Sequence, residues 1–338
     1  MNKVTLISVD LAKDVFQVAG FTDRMKVVFN RQVKRKDLHT FMVQQPACEV
    51  VMEACYSSHY WARCFQEMGH TVRLLPAQHV TPFVRGNKSD HNDTIAIAEA
   101  SRRPNIHQVP IKSTAQQEIQ SLHRMRDLCV QRRTSIMNQT RGLLSEYGVV
   151  SPKGHKAFLR LIALVTDPEH ETISATLKVQ IRLVAEEYQQ LTDRIAGIQK
   201  ELISIVAQQP QCQLLSSVPG IGVINATAIY SAIGNGNQFT NAREFAVWLG
   251  LTPKQRSSGN SFTSGGITKR GNRYLRKQLV HGARALLSRC RNKTDKLSLW
   301  ANVLVARRGY NKAVVAMAAR LARICWVLLQ KNEMYQAK

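Results

Sequence analysis

Short runs of β-branched and apolar residues, separated by turn-like residues, dominate the first 110 residues of the chain. VTLISV, VFQVAGF and KVVFNRQV follow one another and predict three strands joined as an antiparallel meander. Two further runs, at 48–53 and 70–75, alternate with helical stretches near 37–45, 59–68 and 89–102. This pattern predicts a mixed α/β domain over residues 1–110.

The order of the elements, three strands and then alternating helix and strand, is that of an RNase H-like domain. Asp10 ends the first predicted strand and Glu53 the fourth, while Asp90 and Asp93 share one face at the start of the last helix. Carboxylates so placed can converge on hard divalent cations, and two cations would stabilise both reacting oxygens of a phosphodiester. Each acid alone also fits a turn or a helix cap. Their joint placement favours a metal site.

Longer periodicities replace the strands between residues 111 and 210. Apolar residues recur at helical spacing over 116–144 and again over 173–207, where they approach a heptad repeat that includes Leu191 and Ile195. The pattern predicts long helices that form either a hairpin within the chain or an intermolecular coiled coil. We favour the coiled coil, and hence an oligomerisation region.

Residues 211–338 are predicted to form a helical domain that contains a helix-hairpin-helix. The sequence PGIG, with Gly220 and Gly222, lies between two helix-like stretches. Its glycines permit positive φ, and backbone amides at a helix N-terminus can hold a phosphate without reading bases. Gly220 and Gly222 are therefore candidate nucleic-acid-binding residues. A plain helix turn is the alternative, and the hairpin could also serve protein packing.

A stretch rich in serine, glycine and threonine at 252–266 predicts a loop. Cations in and beside it form a candidate phosphate-binding surface: Arg256, Lys269, Arg270, Arg273, Arg276 and Lys277. A serine of this loop could accept hydrogen bonds or attack phosphorus. Attack requires an activating base or metal, and no nearby histidine or carboxylate supplies one. The residues alone therefore do not favour a nucleophile.

Charge points to a polyanionic partner. The 338 residues include 47 Lys and Arg against 23 Asp and Glu, and residues 211–338 alone carry a net +17. Nucleic acid is the expected partner. A membrane is not expected, because no apolar run reaches about 18 residues. The seven cysteines lack zinc-finger spacing and suit a reducing cytoplasm.

Six segments carry a resemblance to a known family. In the first half they are SVDLAKDVF with Asp10, VVMEACYSS with Glu53, and RGNKSDHNDTIAIAE with Asp90 and Asp93. In the second half they are SVPGIGVINA, FAVWLGLTPKQRSSG and ITKRGNRYLR. The chain resembles the DEDD transposases of insertion sequences whose recombinases are guided by a structured bridge RNA, and more distantly the pilin-gene invertases.

The resemblance implies a RuvC-like domain over 1–110, a helical coiled-coil region over 111–210 and a transposase domain over 211–338. It implies that Asp10, Glu53, Asp90 and Asp93 bind Mg²⁺. It also implies that Ser258, which precedes Gly259, is a nucleophile that forms a phosphoserine with DNA. Ser257 adjoins it and is the alternative.

The partners implied are donor and target DNA, a bridge RNA and further copies of the chain, as a dimer or tetramer. In such an oligomer one protomer's serine completes another's acidic site. We expect a bacterial cytoplasmic protein associated with the nucleoid. Two other functions compete with a recombinase: a RuvC-like nuclease that hydrolyses DNA with water, and a non-catalytic nucleic-acid-binding protein.

Overall fold

A computed structural model of the chain forms two compact units, Met1–Ser113 and Thr114–Lys338. It describes residues 3–86, 89–259 and 261–337. The first unit is mixed α/β, and the second consists mainly of helices. In the second unit the predicted helical region and the predicted C-terminal domain share a core, in which Ile119 and Leu202 pack with Val223.

A five-stranded sheet in the order β3-β2-β1-β4-β5 forms the centre of the first unit. Its strands are β1 (Leu6–Asp10), β2 (Val15–Phe21), β3 (Val27–Lys34), β4 (Glu49–Glu53) and β5 (Thr71–Leu75). The first three strands pair antiparallel, and β4 and β5 continue the sheet in parallel to β1. This mixed topology is consistent with an RNase H-like domain, and the five strands lie where the sequence predicts them.

Helices cover both faces of the sheet because alternate strand residues point to opposite sides. They are α1 (Leu38–Val43), α2 (Ser58–Glu67), α3 (Ala77–Val80) with a 3₁₀ turn at Thr81–Phe83, and α4 (Asp90–Ser101). On one face Ile7 and Val9 pack with α2 through Phe65. On the other face Leu6 and Val51 pack with α4. The carboxyl end of β1 is thereby held against the start of α4.

The second unit has nine helices and one hairpin among its described residues. The elements are α5 (Thr114–Ser145), α6 (His155–Thr166), α7 (Ala175–Gln208), α8 (Pro210–Ser216), α9 (Val223–Ile233), α10 (Ala242–Trp248), β6 (Pro253–Ser258), β7 (Ser261–Ile267), α11 (Arg273–Leu287), α12 (Lys296–Arg308) and α13 (Tyr310–Lys331). The predicted loop at 252–266 is wrong in this respect, because most of it forms the antiparallel pair β6 and β7. Its serine- and glycine-rich composition conceals the strands.

The heptad positions of α7 face the inside of the same chain. Leu191 and Ile195 pack on Cys129 of α5, and Ile181 and Tyr188 pack in a core shared with α6. An intermolecular coiled coil through Leu191 and Ile195 is therefore wrong, and the alternative of a helical hairpin holds. A heptad pattern shows that a helix face is covered but not which chain covers it. Oligomerisation itself stays a prediction.

Among the described residues, α13 is the one helix long and apolar enough, by length and composition, to cross a membrane. Half of that apolar window is buried inside the protein. Met317, Leu321 and Cys325 on the buried face belong to the main core of the second unit. Arg323 is exposed on the same helix. This is the pattern of a core helix.

Candidate active site

Three aspartates of the first unit meet where β1 ends and α4 begins. One carboxylate oxygen from each of Asp10, Asp90 and Asp93 lies within 4.8 Å of the others. Ser89 caps α4, since its Oγ accepts a hydrogen bond from the backbone N–H of Asn92 at 3.3 Å. The cap sets the first helical turn, which carries two of the three acids. Hard cations such as Mg²⁺ and Ca²⁺ prefer clustered carboxylate oxygens, so this donor set fits a divalent cation.

Glu53, the fourth predicted ligand, ends the neighbouring strand β4. Val9 pairs with Met52 in parallel register, which places Glu53 beside Asp10 at the same edge of the sheet. Glu53 is not part of the 4.8 Å group, which consists of the three aspartates. The structure therefore brings three of the four predicted carboxylates into tight proximity and places the fourth on the adjacent strand.

Cys55 lies close to the acidic site and was not singled out from the sequence. Burial, together with the smaller effects of the Glu53 and Asp10 charges, raises the pKa of its thiol to about 11. The thiol is therefore protonated at neutral pH and is a poor nucleophile. Both carboxylates contribute to this shift.

A chain of amide and hydroxyl groups connects the sheet to the start of α4. Gln17, which pairs with Asp10 in the sheet, donates from Nε2 to Asn30 Oδ1 at 2.6 Å. Asn30 Nδ2 in turn donates to the His91 carbonyl at 3.2 Å and to Thr94 Oγ1 at 3.1 Å. These bonds hold the first turn of α4, and with it Asp90 and Asp93, against β2 and β3. The available signal for this network was a glutamine inside an apolar strand run, between Phe16 and Val18, and the structure buries it at 7% exposure.

The hairpin of β6 and β7 carries the predicted nucleophile near its tip. Ser258 pairs with Ser261 and Ser257 with Phe262, and all four residues are exposed. Gly259 begins the turn with a φ of +54°. We call Pro253–Ser258, Gly259 and Ser261–Ile267 the serine arm. Nearly every described residue of the arm is exposed, so it projects from the helices without a core of its own.

Alternation along the strands separates the two candidate serines. Side chains two residues apart share a face of a ribbon, and so do directly paired residues. Ser258 therefore shares its face with Arg256 and Thr263, whereas Ser257 shares the other face with Phe262. The cationic side chain of Arg256 therefore lies on the same face as Ser258.

Arg276 holds the base of the serine arm. Its guanidinium Nη1 donates to the carbonyls of Leu249 and Arg270, each at 2.9 Å, and so joins the two chain segments that enter and leave the arm. Gly271 has a φ of +73°, and a Cβ there would overlap the carbonyl oxygen of Trp248, so the two segments pack closely at the base. Burial, followed by the charge of Arg273, lowers the pKa of Arg276. Arg276 thus has a structural role that the sequence does not indicate.

Four of the remaining predicted cations of this region are exposed. They are Arg256, Lys269, Arg270 and Arg273. Lys277, one turn further along α11, instead forms an ion pair with Asp127 of α5. The four exposed cations are available to phosphates.

The first turn of α11, where Arg273 lies, is anchored to α5 through His123. Thr227 Oγ1 donates to the Val223 carbonyl at 2.7 Å, so it accepts from His123 Nε2–H at 2.9 Å. His123 Nδ1 then accepts from the hydroxyl of Tyr274 at 2.9 Å. Burial lowers the pKa of His123 to about 4, which keeps this neutral tautomer.

The predicted helix-hairpin-helix consists of α8, a turn and α9. Gly220 has a φ of +86°, and a Cβ there would come within 2.7 Å of the Gly282 carbonyl oxygen, so the turn packs closely on α11. Gly222 is exposed and has a φ of −92°, so the expectation of positive φ is wrong for this residue. Packing explains Gly220. Gly222 leaves the N-terminal amides of α9 without a side-chain cap.

Two family models match the chain. One, described as a transposase of the DEDD IS110 type, matches residues 7–149, which include all four acids. The other, described as the transposase IS116/IS110/IS902 family, matches residues 212–298, which include the hairpin of α8 and α9 and the serine arm.

Known proteins match along the whole length. A probable family 20 transposase of Pseudomonas aeruginosa is 44% identical over 98% of this chain and 98% of its own length. The transposase for insertion sequence element IS1111A of Coxiella burnetii is 40% identical over 99% of this chain and 92% of its own. A pilin gene-inverting protein of Moraxella bovis is more distant, at 26% identity over 38% of this chain and 46% of its own. Because relatives of 44% and 40% identity match nearly the whole chain, and the two family models match the segments with the aspartate cluster and the serine arm, the chain belongs to the IS110/IS116 family of insertion-sequence transposases.

Proposed function

We propose that this protein cuts and rejoins DNA strands through a divalent-cation site at Asp10, Glu53, Asp90 and Asp93 and a nucleophile at Ser258. The observation that carries the proposal is the convergence of three aspartates within 4.8 Å, on a strand end and a helix start. A bound Mg²⁺ would polarise the scissile phosphate and stabilise the charge that develops on its oxygens. The protein's contribution is to fix the carboxylates through the cap of α4 and the Gln17–Asn30 network.

The serine step conserves the phosphodiester bond. The Ser258 hydroxyl loses its proton, Oγ bonds to phosphorus, and one ester bond to a deoxyribose oxygen breaks, with that oxygen taking up a proton. In the reverse sense a hydroxyl of the incoming strand attacks the phosphoserine and releases Ser258. No external energy source is required, and the sequence has no G-x-x-x-x-G-K-[ST] loop to bind a nucleotide.

Ser258 is preferred over Ser257 because of its face on the arm. Arg256 shares that face and can neutralise charge on a phosphate under attack. Residues 252–266 contain no histidine or carboxylate, so the proton must be removed by a group outside the arm. We propose that another protomer's acidic site completes the serine site, in a dimer or tetramer.

A guide RNA is the proposed source of target choice. The exposed cations and the amides of α9 suit phosphate contacts, which give affinity without sequence discrimination. The specificity of the recombinase therefore has to come from elsewhere, and a bridge RNA that pairs with donor and target DNA would supply it. Cross-linking in bacterial cells, followed by sequencing of the bound RNA, tests this proposal. We place the protein in the cytoplasm at the nucleoid.

A hydrolytic nuclease is the main alternative, since an acidic cluster also suits attack by water. The two functions differ in one product. A recombinase with a serine nucleophile forms a protein–DNA species that resists denaturant, and Ser258→Ala removes it while DNA binding persists. A nuclease releases free DNA ends with the native protein and with Ser258→Ala alike, and it forms no such species. A non-catalytic binding protein forms neither product, and Asp10→Asn leaves it unaffected.

A further inference from the structure

Phe262 is a large aromatic side chain at the tip of the serine arm. It is 65% exposed and lies one residue from the last strand pair. Single exposed apolar residues are common and need no special explanation. Phe262 differs in its surroundings, because it is the one apolar residue between Pro253 and Ile267, in an arm of polar, cationic and glycine residues.

The arm has two chemically different faces at its tip. Arg256, Thr263, Ser258 and Ser261 share one face, which carries the cation. Phe262 and Ser257 lie on the opposite face, together with the uncharged pair Gln255 and Ser264. One side of a thin ribbon therefore suits a phosphate, and the other side suits a flat apolar group. A nucleotide contains both.

We propose that Phe262 stacks on an unpaired nucleobase of the DNA at which the serine arm acts. The inference rests on the proposed function, in which the arm approaches a scissile phosphate. A base becomes available for stacking only where the duplex is opened, as it is when strands are exchanged. Stacking on an aromatic ring tolerates any base, because every base has a π face. Phe262 would thus mark the position of the opened strand without choosing its sequence.

Charge favours a nucleobase over a second copy of this arm as the group that covers Phe262. The arm and its base carry Lys254, Arg256, Lys269 and Arg270, and residues 252–270 contain no acidic side chain. Two such arms repel each other, whereas a DNA strand brings the compensating phosphates. The same cations would draw the strand to the arm before stacking occurs.

Photo-cross-linking of the full-length protein tests the proposal. The probe is a DNA duplex with a short single-stranded gap that carries 5-iodouracil, which couples to a stacked aromatic ring on irradiation. We would use Ser258→Ala protein in EDTA, so that neither the proposed nucleophile nor a metal is required. The expected adduct maps to residue 262 by mass spectrometry. Phe262→Ala should bind the gapped DNA about tenfold more weakly, with binding to intact duplex unchanged.

Matched variants separate stacking from other causes. Phe262→Trp should restore the affinity and the adduct, and Thr263→Ala, on the opposite face of the arm, should change neither. Since Phe262 is exposed, the melting temperature of Phe262→Ala should equal that of the parent protein. An adduct that maps elsewhere, one that forms with gapped RNA but not with DNA, or equal affinity of Phe262→Ala for gapped DNA overturns the proposal. A sedimenting mass of Phe262→Ala that differs from that of the parent protein, with DNA binding intact, also overturns it, since this would place a second copy on Phe262.

Failure of the proposed function has a different signature. If Ser258 is not the nucleophile, the native protein forms no denaturant-resistant DNA species, yet the cross-link at Phe262 still appears. If Phe262 does not stack, the cross-link is absent while the Ser258-dependent species still forms.

Discussion

The acidic cluster and the serine arm are built in opposite ways. The aspartates lie at the end of a buried strand and the start of a helix whose Thr94 is fully buried, and a network through Gln17 and Asn30 joins the two. The arm has no core, and both of its strands are exposed. Buried neighbours thus hold the three aspartates in place, whereas the serine projects from a base fastened by Arg276.

The difference fits the roles that we propose for the two sites. Carboxylates must hold their oxygens within a few ångströms of one another against mutual repulsion, and only a rigid frame does so. A nucleophile that enters DNA must instead extend beyond the protein surface. Damage to the acidic site should therefore abolish chemistry, whereas damage to the arm should separate chemistry from binding.

Asp10→Asn should have the largest effect on activity. Loss of one central carboxylate removes a cation ligand, and we expect strand exchange to fall about 100-fold or more. In EDTA the melting temperature should stay the same or rise, because the change relieves repulsion with Asp90 and Asp93. The rise in melting temperature on adding Mg²⁺ or Ca²⁺ to the native protein should be lost.

Strand exchange and thermal shift measure the two effects. Asp14→Asn is the matched control, since Asp14 is exposed and lies outside the cluster. Undiminished strand exchange by Asp10→Asn would show that the cluster is not the reaction centre.

The two serines of the arm give the sharpest contrast at a single pair of positions. Ser258→Ala should lose the covalent DNA species and strand exchange while keeping DNA affinity, because the side chain is exposed and its removal should change the unfolding free energy by less than about 0.5 kcal/mol. Ser257→Ala, on the opposite face, should keep both the covalent DNA species and strand exchange. Denaturing electrophoresis of labelled DNA distinguishes the two variants. The reverse outcome would assign the nucleophile to Ser257.

The acidic site was largely predictable because its signals are local. The parallel strands β1 and β4 are short apolar runs that end in a carboxylate, and the carboxyl ends of parallel strands meet at one edge. The bonds that connect Asn30 to Thr94 span 64 positions, and nothing in the local pattern around Asn30 indicates a partner so far away. Glu53 was placed on the right strand, but its distance from the aspartates depends on side-chain packing that a pattern does not encode.

The arm was less predictable because exposed ribbons lack the apolar alternation that identifies strands. Lys254 and Arg256 take the positions that valine or isoleucine would take in a buried strand. The role of Arg276 was missed for a related reason. In the sequence, an arginine that donates to the Leu249 and Arg270 carbonyls cannot be distinguished from an exposed arginine. Composition indicates what a surface attracts, but not which cations are occupied within the fold.

The pH dependence of stability tests the anchor that supports the arm. Burial lowers the pKa of His123 to about 4, whereas a histidine in the unfolded chain titrates near 6.5. Below pH 6.5 the unfolded state therefore binds a proton that the folded state does not, and stability falls as the pH drops toward 4. Between pH 7 and pH 5 we expect a loss of about 2 kcal/mol from this group.

Urea unfolding at the two pH values measures this loss. His123→Gln keeps a polar side chain at the position without titrating. The difference between the two proteins in how the unfolding free energy changes with pH therefore isolates the histidine. An equal change of the unfolding free energy with pH in the two proteins would mean that His123 titrates normally and that its bonds to Thr227 and Tyr274 do not exclude the proton.

The smallest expected effect on DNA binding distinguishes Arg276, which holds the base of the arm, from the exposed cations. Arg270 and Arg273 are exposed and free to meet phosphates, so each replacement by alanine should lower the slope of log affinity against log salt for duplex DNA by about 0.9. Arg276→Ala should leave that slope unchanged, because Nη1 of Arg276 donates to the Leu249 and Arg270 carbonyls and keeps the guanidinium at the base of the arm. It should instead cost about 1–3 kcal/mol of stability and reduce strand exchange, since two carbonyls lose their partner and the base of the arm loosens. Binding titrations at several salt concentrations and urea unfolding together decide the matter. A slope that falls as much for Arg276→Ala as for Arg270→Ala would return Arg276 to the phosphate-binding role that the sequence predicts.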